Sequence, residues 1–239
     1  MIGLVVVSHS PALARAAVDL ALQMVGDAPP PIAIAAGAGD DVIGTDATRV
    51  SAAIEEVASS DGVLVFMDLG SAVMSAEMAL EFASVSCEVR LSDAPFVEGL
   101  VAAVVLAAGG ASLDEVAREA SGAMSAKRGQ LGSADSSPVS SPEPLVSQSP
   151  DAAADVTLVN ADGLHARPAA TLVKAVSAFD AAVTITAPGR APISASSLIA
   201  VLSLGAAAGT VLRIEATGPQ AAEAVEAVRA MAADGFGES

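Results

Sequence analysis

Tryptophan and tyrosine are missing altogether from this 239-residue chain, and aromatic residues make up only 2% of it. Apolar content is nevertheless 53%, so a core has to be assembled from Ala, Val, Leu, Ile and Met. Cysteine is almost absent too. Cys87 stands alone, which excludes an intrachain disulfide and fits a reducing compartment. Positive charge is scarce: 11 Lys and Arg against 28 Asp and Glu leave a net charge of −17. That balance argues against nucleic acid, whose phosphate backbone asks for a basic face. Long hydrophobic runs are lacking as well. The N-terminal run stops at Ser8-His9-Ser10 with no basic stretch before it, so it does not read as a signal peptide. Leu100 to Ala108 is too short to span a bilayer. A soluble, cytoplasmic protein without a membrane partner is expected. With two separated histidines and one cysteine, no metal site is expected. Gly37-Ala38-Gly39 is followed by Val42 where a dinucleotide fingerprint needs glycine, and no cofactor is expected.

What is present is a regular alternation. Ile2 to Val7, Ile32 to Ala36, Gly62 to Met67 and Cys87 to Leu91 are short apolar runs that read as buried parallel strands. Between them lie helical patterns. One carries Leu13, Ala17, Leu20, Ala21 and Met24 after Pro11, and another carries Val73, Met74, Met78 and Phe82 inward after Ser71. A helix after the Gly37–Gly44 loop can be capped by Thr45 or Asp46. Two more are expected over about Pro95–Ala108 and Ser112–Lys127, the second opened by the capping box Ser112-Leu113-Asp114-Glu115. The pattern predicts a doubly wound α/β domain with a mostly parallel sheet over residues 1–128. Ligand sites in such sheets lie beyond the carboxyl ends of the strands. His9 and Asp68 both follow directly on strand ends, and share one crevice if strands one and three are neighbours.

From Gly129 to Pro150 the composition turns to Ser, Pro, Gln and Asp, which reads as a flexible linker. Formal charge is −11 over residues 1–128, −2 over 129–150 and −4 over 151–239. The last segment opens with a half-buried strand at Asp155–Val159. A helix with Leu172, Val173, Val176 and Phe179 on one face follows. Next come a hairpin from Val183 to Ser194 through Pro188-Gly189, and a short helix at Ser196–Leu204 stopped by Gly205. A strand at Thr210–Ala216 and a closing helix at Gln220–Ala232 complete it. This order predicts an α+β domain with helices on one face of an antiparallel sheet.

The turn Asn160-Ala161-Asp162-Gly163 leads into Leu164-His165-Ala166-Arg167-Pro168-Ala169. Pro168 falls in the first helical turn, where its missing N–H costs nothing. The N–H groups of Ala166 and Arg167, with the helix dipole, make an anion site beside the imidazole. Arg167 adds a cation suited to phosphate oxygens. A largely neutral imidazole can attack phosphorus and later leave, so His165 reads as a phosphoryl acceptor. His9 alone reads equally as a residue that merely ends a strand. Asp68 beside it shifts the balance, because a carboxylate would fix the ring's tautomer and support its transient charge. Asp68 could otherwise cap a helix.

Gly163-Leu164-His165-Ala166-Arg167-Pro168-Ala169 resembles the phosphorylation site of HPr, the histidine phosphocarrier of the bacterial phosphoenolpyruvate-dependent phosphotransferase system. Val5-Val6-Val7-Ser8-His9-Ser10, Ile34-Ala35-Ala36-Gly37, Ile43-Gly44-Thr45-Asp46-Ala47, Val65 to Ala72 and Ala94 to Gly99 resemble the mannose-type enzyme IIA family. They resemble more closely the phosphotransferase subunits of phosphotransferase-dependent dihydroxyacetone kinases, in which such a domain, a linker and an HPr-like domain follow in this order. The resemblance implies that His9 is phosphorylated on Nε2 and His165 on Nδ1. It implies a homodimer through residues 1–128, and places Gly70, Ser71 and Thr45, with Ala166 and Arg167, at phosphoryl-binding positions. Thr45 reads equally as a plain helix cap. Ser197 stands where some HPr proteins carry a regulatory phosphoserine, although a first-turn residue of a short helix is the preferred reading. The implied route runs from phosphoenolpyruvate through a separate enzyme I, or through a free HPr, to His165 and then His9. From there it leads to ADP on the nucleotide-binding subunit of a kinase that also has a dihydroxyacetone-binding subunit. Alternatives are a sugar-transport enzyme IIA/HPr fusion that phosphorylates an enzyme IIB component, and a regulatory module switched by phosphorylation.

The 22 residues of the predicted linker span roughly 26 Å as a flexible coil, and roughly 75 Å fully extended. Tethering at that length gives an effective concentration near the millimolar range. Transfer from His165 to His9 should therefore proceed within one assembly. In rapid-quench experiments on preloaded protein its rate should not change on dilution. A rate proportional to concentration, while any dimer persists, would show that exchange occurs only between separate molecules.

Overall fold

The computed structural model describes residues 1–26, 28–39, 42–131 and 150–237. The chain divides into two compact units, Met1–Met124 and Ser125–Ser239. In the first, β1 (Gly3–Ser8), β2 (Ile32–Ala36), β3 (Val63–Met67) and β4 (Val89–Leu91) form one sheet in the order β2-β1-β3-β4. All of its pairings are parallel. The connections are α1 (Pro11–Leu22), α2 (Ala47–Val57) and α3 (Gly70–Phe82), and α4 (Phe96–Ala108) and α5 (Leu113–Ser121) follow β4. Val5, Val7, Val63 and Val65 point to the face packed by Ile54 of α2 and by Ala72, Ala76 and Ala79 of α3. Leu4, Val6, Leu64 and Phe66 alternate to the other face and are equally buried. Phe66 there lies under Gly99 of α4, where an added Cβ would meet its ring at 3.4 Å. This is the predicted doubly wound, parallel α/β fold.

The helix faces differ from the predicted ones. In α3 the side chains of Met74, Met78 and Phe82 are 68%, 53% and 54% exposed, while Ala72, Ala76 and Ala79 are buried. In α1 Leu13 and Leu20 are exposed, and Ala14, Ala17, Val18 and Ala21 are buried. The reason is steric. These helices are apolar nearly all round, so periodicity does not select a face. An alanine row lets a helix approach its neighbours closely, and the larger side chains are left outside. Asp46 caps α2 and the Ser112–Glu115 capping box opens α5, both as expected, and Ser10 caps α1.

A helix α6 (Met124–Gln130) runs two residues into the stretch predicted as linker. Lys127 and Arg128 sit in its last turn, where they oppose the negative end of the helix dipole. Residues 132–149 of that stretch lie outside the described residues.

The second sheet contains β5 (Ala152–Thr157), β6 (Ala182–Thr186), β7 (Ile193–Ser194) and β8 (Val211–Thr217), ordered β5-β8-β6-β7 and antiparallel throughout. Strand β5 begins three residues earlier than predicted and ends at Thr157. Its partner β8 runs to Thr217, so the ladder continues down to Ala152 opposite Ala216. Val183, Ile185, Leu212, Ile214 and Ala216 supply the buried face. Helix α9 (Ala221–Ala233) packs on β5, β8 and β6, and α7 (Ala166–Val176) packs on α9. Helix α8 (Leu198–Ser203) touches α7 and ends before Gly205, which has φ +57°. Phe179 lies beyond the end of α7, half-buried.

The turn before α7 is tied to the loop after α8. Leu164 N–H donates to the Ala206 carbonyl at 2.9 Å. Gly163 has φ +67°, and a Cβ there would lie 2.2 Å from the Ala206 carbonyl oxygen. Both the left-handed backbone and the close approach demand glycine. Gly163→Ala should lower the thermal transition of the C-terminal unit by about 10 °C or more. Calorimetry of the full chain checks this, and an unmoved transition would mean that the turn relaxes freely.

Candidate functional site

Parallel pairing of β1 with β3 puts Val7 opposite Met67. The next residues on each strand therefore leave the sheet side by side, at its carboxyl edge. Asp68 N–H still donates to the Val7 carbonyl, at 3.3 Å. His9 is held from the other side as well. Gly44 N–H, from the loop after β2, donates to the His9 carbonyl at 3.1 Å. Ser10 then caps α1 and Pro11 takes its first position, so the chain turns away directly after the histidine.

The two side chains meet. His9 Nδ1 lies 2.9 Å from Asp68 Oδ1. Asp68 Oδ2 accepts the His9 backbone N–H and the Ser8 hydroxyl, each at 2.9 Å. Burial is the largest influence on the Asp68 carboxyl and pushes its pKa up. The hydrogen bonds from His9 N–H, the His9 ring and Ser8 together outweigh it and hold the group below the usual carboxylate range. An ionised Asp68 accepts, so a neutral His9 ring bonded to it has its proton on Nδ1 and its lone pair on Nε2. That lone pair faces Ser71 Oγ at 2.9 Å.

Ser71 is the second residue of α3, after Gly70. Leu69 at the N-cap position has no side chain able to cap the helix. The positive end of α3 thus lies beside Nε2 of His9. Thr45 is bonded to the same helix. Its hydroxyl lies 2.7 Å from Ser75 Oγ, one turn further along α3 than Ser71. Thr45 therefore fastens the loop that holds the His9 carbonyl. Asp46 caps α2.

His165 is the N-cap residue of α7, with extended backbone (φ −86°, ψ −173°) and its carbonyl accepting Ala169 N–H at 3.0 Å. Ala166, Arg167 and Pro168 fill the first turn, so Pro168 falls where no intrahelical donor is required. The Arg167 side chain is exposed. Asn160 is buried, and its Nδ2 donates to the Gly163 carbonyl at 2.6 Å. That bond braces the turn that delivers His165. Ser197 is the N-cap of α8, its hydroxyl accepting Ala200 N–H at 3.0 Å. Among the described residues no cluster of three or more His, Cys, Asp or Glu is arranged for a metal ion. No described helix is long and apolar enough to cross a membrane.

Two groups were missed in the sequence, Ser8 and Asn160. Each is polar at the end of an apolar strand run, and that position is the signal that could have found them.

Residues 3–117 match the family described as PTS system fructose IIA component, and residues 152–234 match PTS HPr component phosphorylation site. Over its whole length the chain is 43% identical to the PEP-dependent dihydroxyacetone kinase phosphoryl donor subunit DhaM of Escherichia coli K12, of which it covers 51%. It thus spans about half the length of that relative. A second such donor subunit, from Listeria innocua, is 36% identical over 44% of this chain and 85% of its own length. The phosphocarrier protein HPr of Vibrio cholerae is 51% identical over 30% of this chain and 82% of its own. The chain belongs to the family of phosphoryl donor subunits of PEP-dependent dihydroxyacetone kinase.

Asp68 contributes to folding in a pH-dependent way. Its folded pKa is lowered, so its stabilisation is complete above the ordinary carboxylate range and is lost as pH falls through the lowered value. Asp68→Ala should remove that part of the acid-side decline in thermal stability. It should also slow transfer through His9 on the order of tenfold to a few hundredfold. Rapid-quench rates and melting curves against pH check both. An unchanged rate would return Asp68 to a purely structural role.

Proposed function

We propose that this chain is a double phosphohistidine carrier. Enzyme I, charged by phosphoenolpyruvate, gives its phosphoryl group to His165 Nδ1. A nitrogen–phosphorus bond forms there as the donor's bond breaks. The group then passes to His9 Nε2, releasing neutral His165. Last, it moves to ADP held on a nucleotide-binding kinase subunit, whose ATP phosphorylates dihydroxyacetone on a partner subunit. Residues 1–128 act as the enzyme IIA-like unit and as the homodimer contact, 129–150 as the linker, and 151–239 as the HPr-like unit.

The observation that carries this reading is the His9 centre. Its Nδ1 is committed to an ionised carboxylate, while Nε2 opens towards Ser71 and the uncapped start of α3. Such a ring is a nucleophile with one available nitrogen. After attack the ring is cationic, and Asp68 stabilises it through Nδ1–H. Gly70 and Ser71 supply N–H groups and a hydroxyl for the phosphoryl oxygens. At His165 the start of α7 and Arg167 play that part. The kinase as acceptor is supported by relatives that are phosphoryl donor subunits. A sugar-transport reading, with an enzyme IIB component as acceptor, is supported by the match of residues 3–117 to a fructose IIA component.

Protein labelled by phosphoenolpyruvate and enzyme I should lose phosphate to the ADP-loaded kinase subunit. Loss only to an enzyme IIB, or retention with both, contradicts the kinase reading. His165→Ala should abolish labelling of the HPr-like unit, and acid-labile label persisting there would remove His165 from the route.

A further inference from the structure

Ser8 ends β1, and its side chain is 0% exposed in a strand that is otherwise apolar apart from Gly3. The strand's pairing to β2 and β3 uses backbone alone, so nothing in the sheet calls for a hydroxyl there. A buried hydroxyl is costly unless it is bonded. Ser8 Oγ lies 2.9 Å from Asp68 Oδ2 and 3.2 Å from the Ser10 carbonyl, and it accepts the Ser10 N–H at 3.1 Å. One proton cannot serve both acceptors fully. The shorter distance and the negative charge assign it to Asp68.

Asp68 Oδ2 is then gripped by two donors from consecutive residues, the Ser8 hydroxyl and the His9 backbone N–H at 2.9 Å. Two bonds on one oxygen fix the plane of the carboxylate, and with it the direction of the other oxygen. That oxygen, Oδ1, faces His9 Nδ1 at 2.9 Å. We propose that Ser8 is a positioning residue for His9: by holding Asp68 Oδ2 it aims Oδ1 at Nδ1, and so keeps the ring proton on Nδ1 and the lone pair on Nε2. The proposal rests on the reading of His9 as a phosphoryl acceptor. It deepens that reading by tracing which nitrogen reacts to a residue whose hydroxyl bonds the carboxylate. Serine at this place also ties the strand end to the α1 cap, through the Ser10 N–H, so the residues flanking His9 share one hydrogen-bonded unit.

The test reads the His9 tautomer by ¹⁵N NMR in the unphosphorylated full chain, and separately the transfer rate from phosphorylated His9 to its acceptor. Wild type should hold the Nδ1–H form. Ser8→Ala should move the population several-fold towards Nε2–H. It should also lower the maximal transfer rate on the order of tenfold, with little change in the half-saturating acceptor concentration. Ser8→Thr keeps the hydroxyl and should restore both. A folded Ser8→Ala protein with the wild-type tautomer ratio overturns the proposal. Should Ser8→Ala not fold, Ser8→Cys offers a weaker donor of similar size, and an unshifted ratio there overturns it equally. Because the tautomer is read without phosphate, a wild-type His9 that never labels defeats the carrier reading and is told apart from failure of the Ser8 role.

Discussion

The N-terminal centre depends on one constraint, the parallel register of β1 on β3. Because Val7 stands opposite Met67, the residues after both strands emerge together, and a single bond of 2.9 Å between His9 Nδ1 and Asp68 Oδ1 becomes possible. A slip of one residue would turn every side chain of the strand to the other face. With Leu4 and Val6 packed on one side of the sheet and Val5 and Val7 on the other, the strand would still be apolar on both faces after such a slip. The apolar pattern alone therefore does not pin the register. Gly3 helps to do so, because a Cβ there would lie 2.3 Å from the Val57 carbonyl oxygen at the end of α2. Polar Ser8 at the other end completes the pin, since only in this register does its hydroxyl reach Asp68.

The two histidines are held in different ways. His9 has its Nδ1 held by a carboxylate and its Nε2 met by a helix that begins 61 residues later, at Gly70. His165 is itself the N-cap of its helix, so ring and anion site belong to one local stretch. The first arrangement needs tertiary structure before it exists. The second is built by a local turn, braced by the bond from Asn160 to the Gly163 carbonyl and seated on the loop at Ala206. This is why the HPr-like motif is so legible as a string of letters, while the His9 centre is legible only as two separated residues at strand ends.

The fold was readable because strand ends, proline positions and caps follow local rules: Pro11, Asp46, Ser112 and Gly205 sit where their chemistry places them. The adjacency of β1 and β3 stood only as a condition that such a winding often meets, and the sheet order meets it. The helix faces did not follow. Hydrophobicity ranks Met74, Met78 and Phe82 above Ala72, Ala76 and Ala79, but close packing reverses the order, and no one-dimensional period carries that information. Thr45 was legible as a residue near the site and not as the partner of Ser75, since hydroxyl pairing across elements leaves no trace in spacing.

Charge sets the remaining condition. A chain of net charge −17 repels a phosphoryl group and any acidic partner at long range. Each centre must therefore supply its attraction locally, over distances shorter than the Debye length of roughly 8 Å at physiological salt. At His165 the exposed Arg167 and the start of α7 lie within the same turn as the ring. At His9 the nearest carboxylate is an ally. Asp68 faces Nδ1, two bonds round the ring from Nε2, so under the proposed function its charge would stabilise the cationic ring from the nitrogen that does not meet phosphorus. The start of α3 would then act on the phosphoryl oxygens at Nε2. Under the proposed function an acidic protein can carry an anion on this plan because the carboxylate and the phosphoryl group sit on different ring nitrogens with Cε1 between them, and that separation survives only while Asp68 keeps to Nδ1.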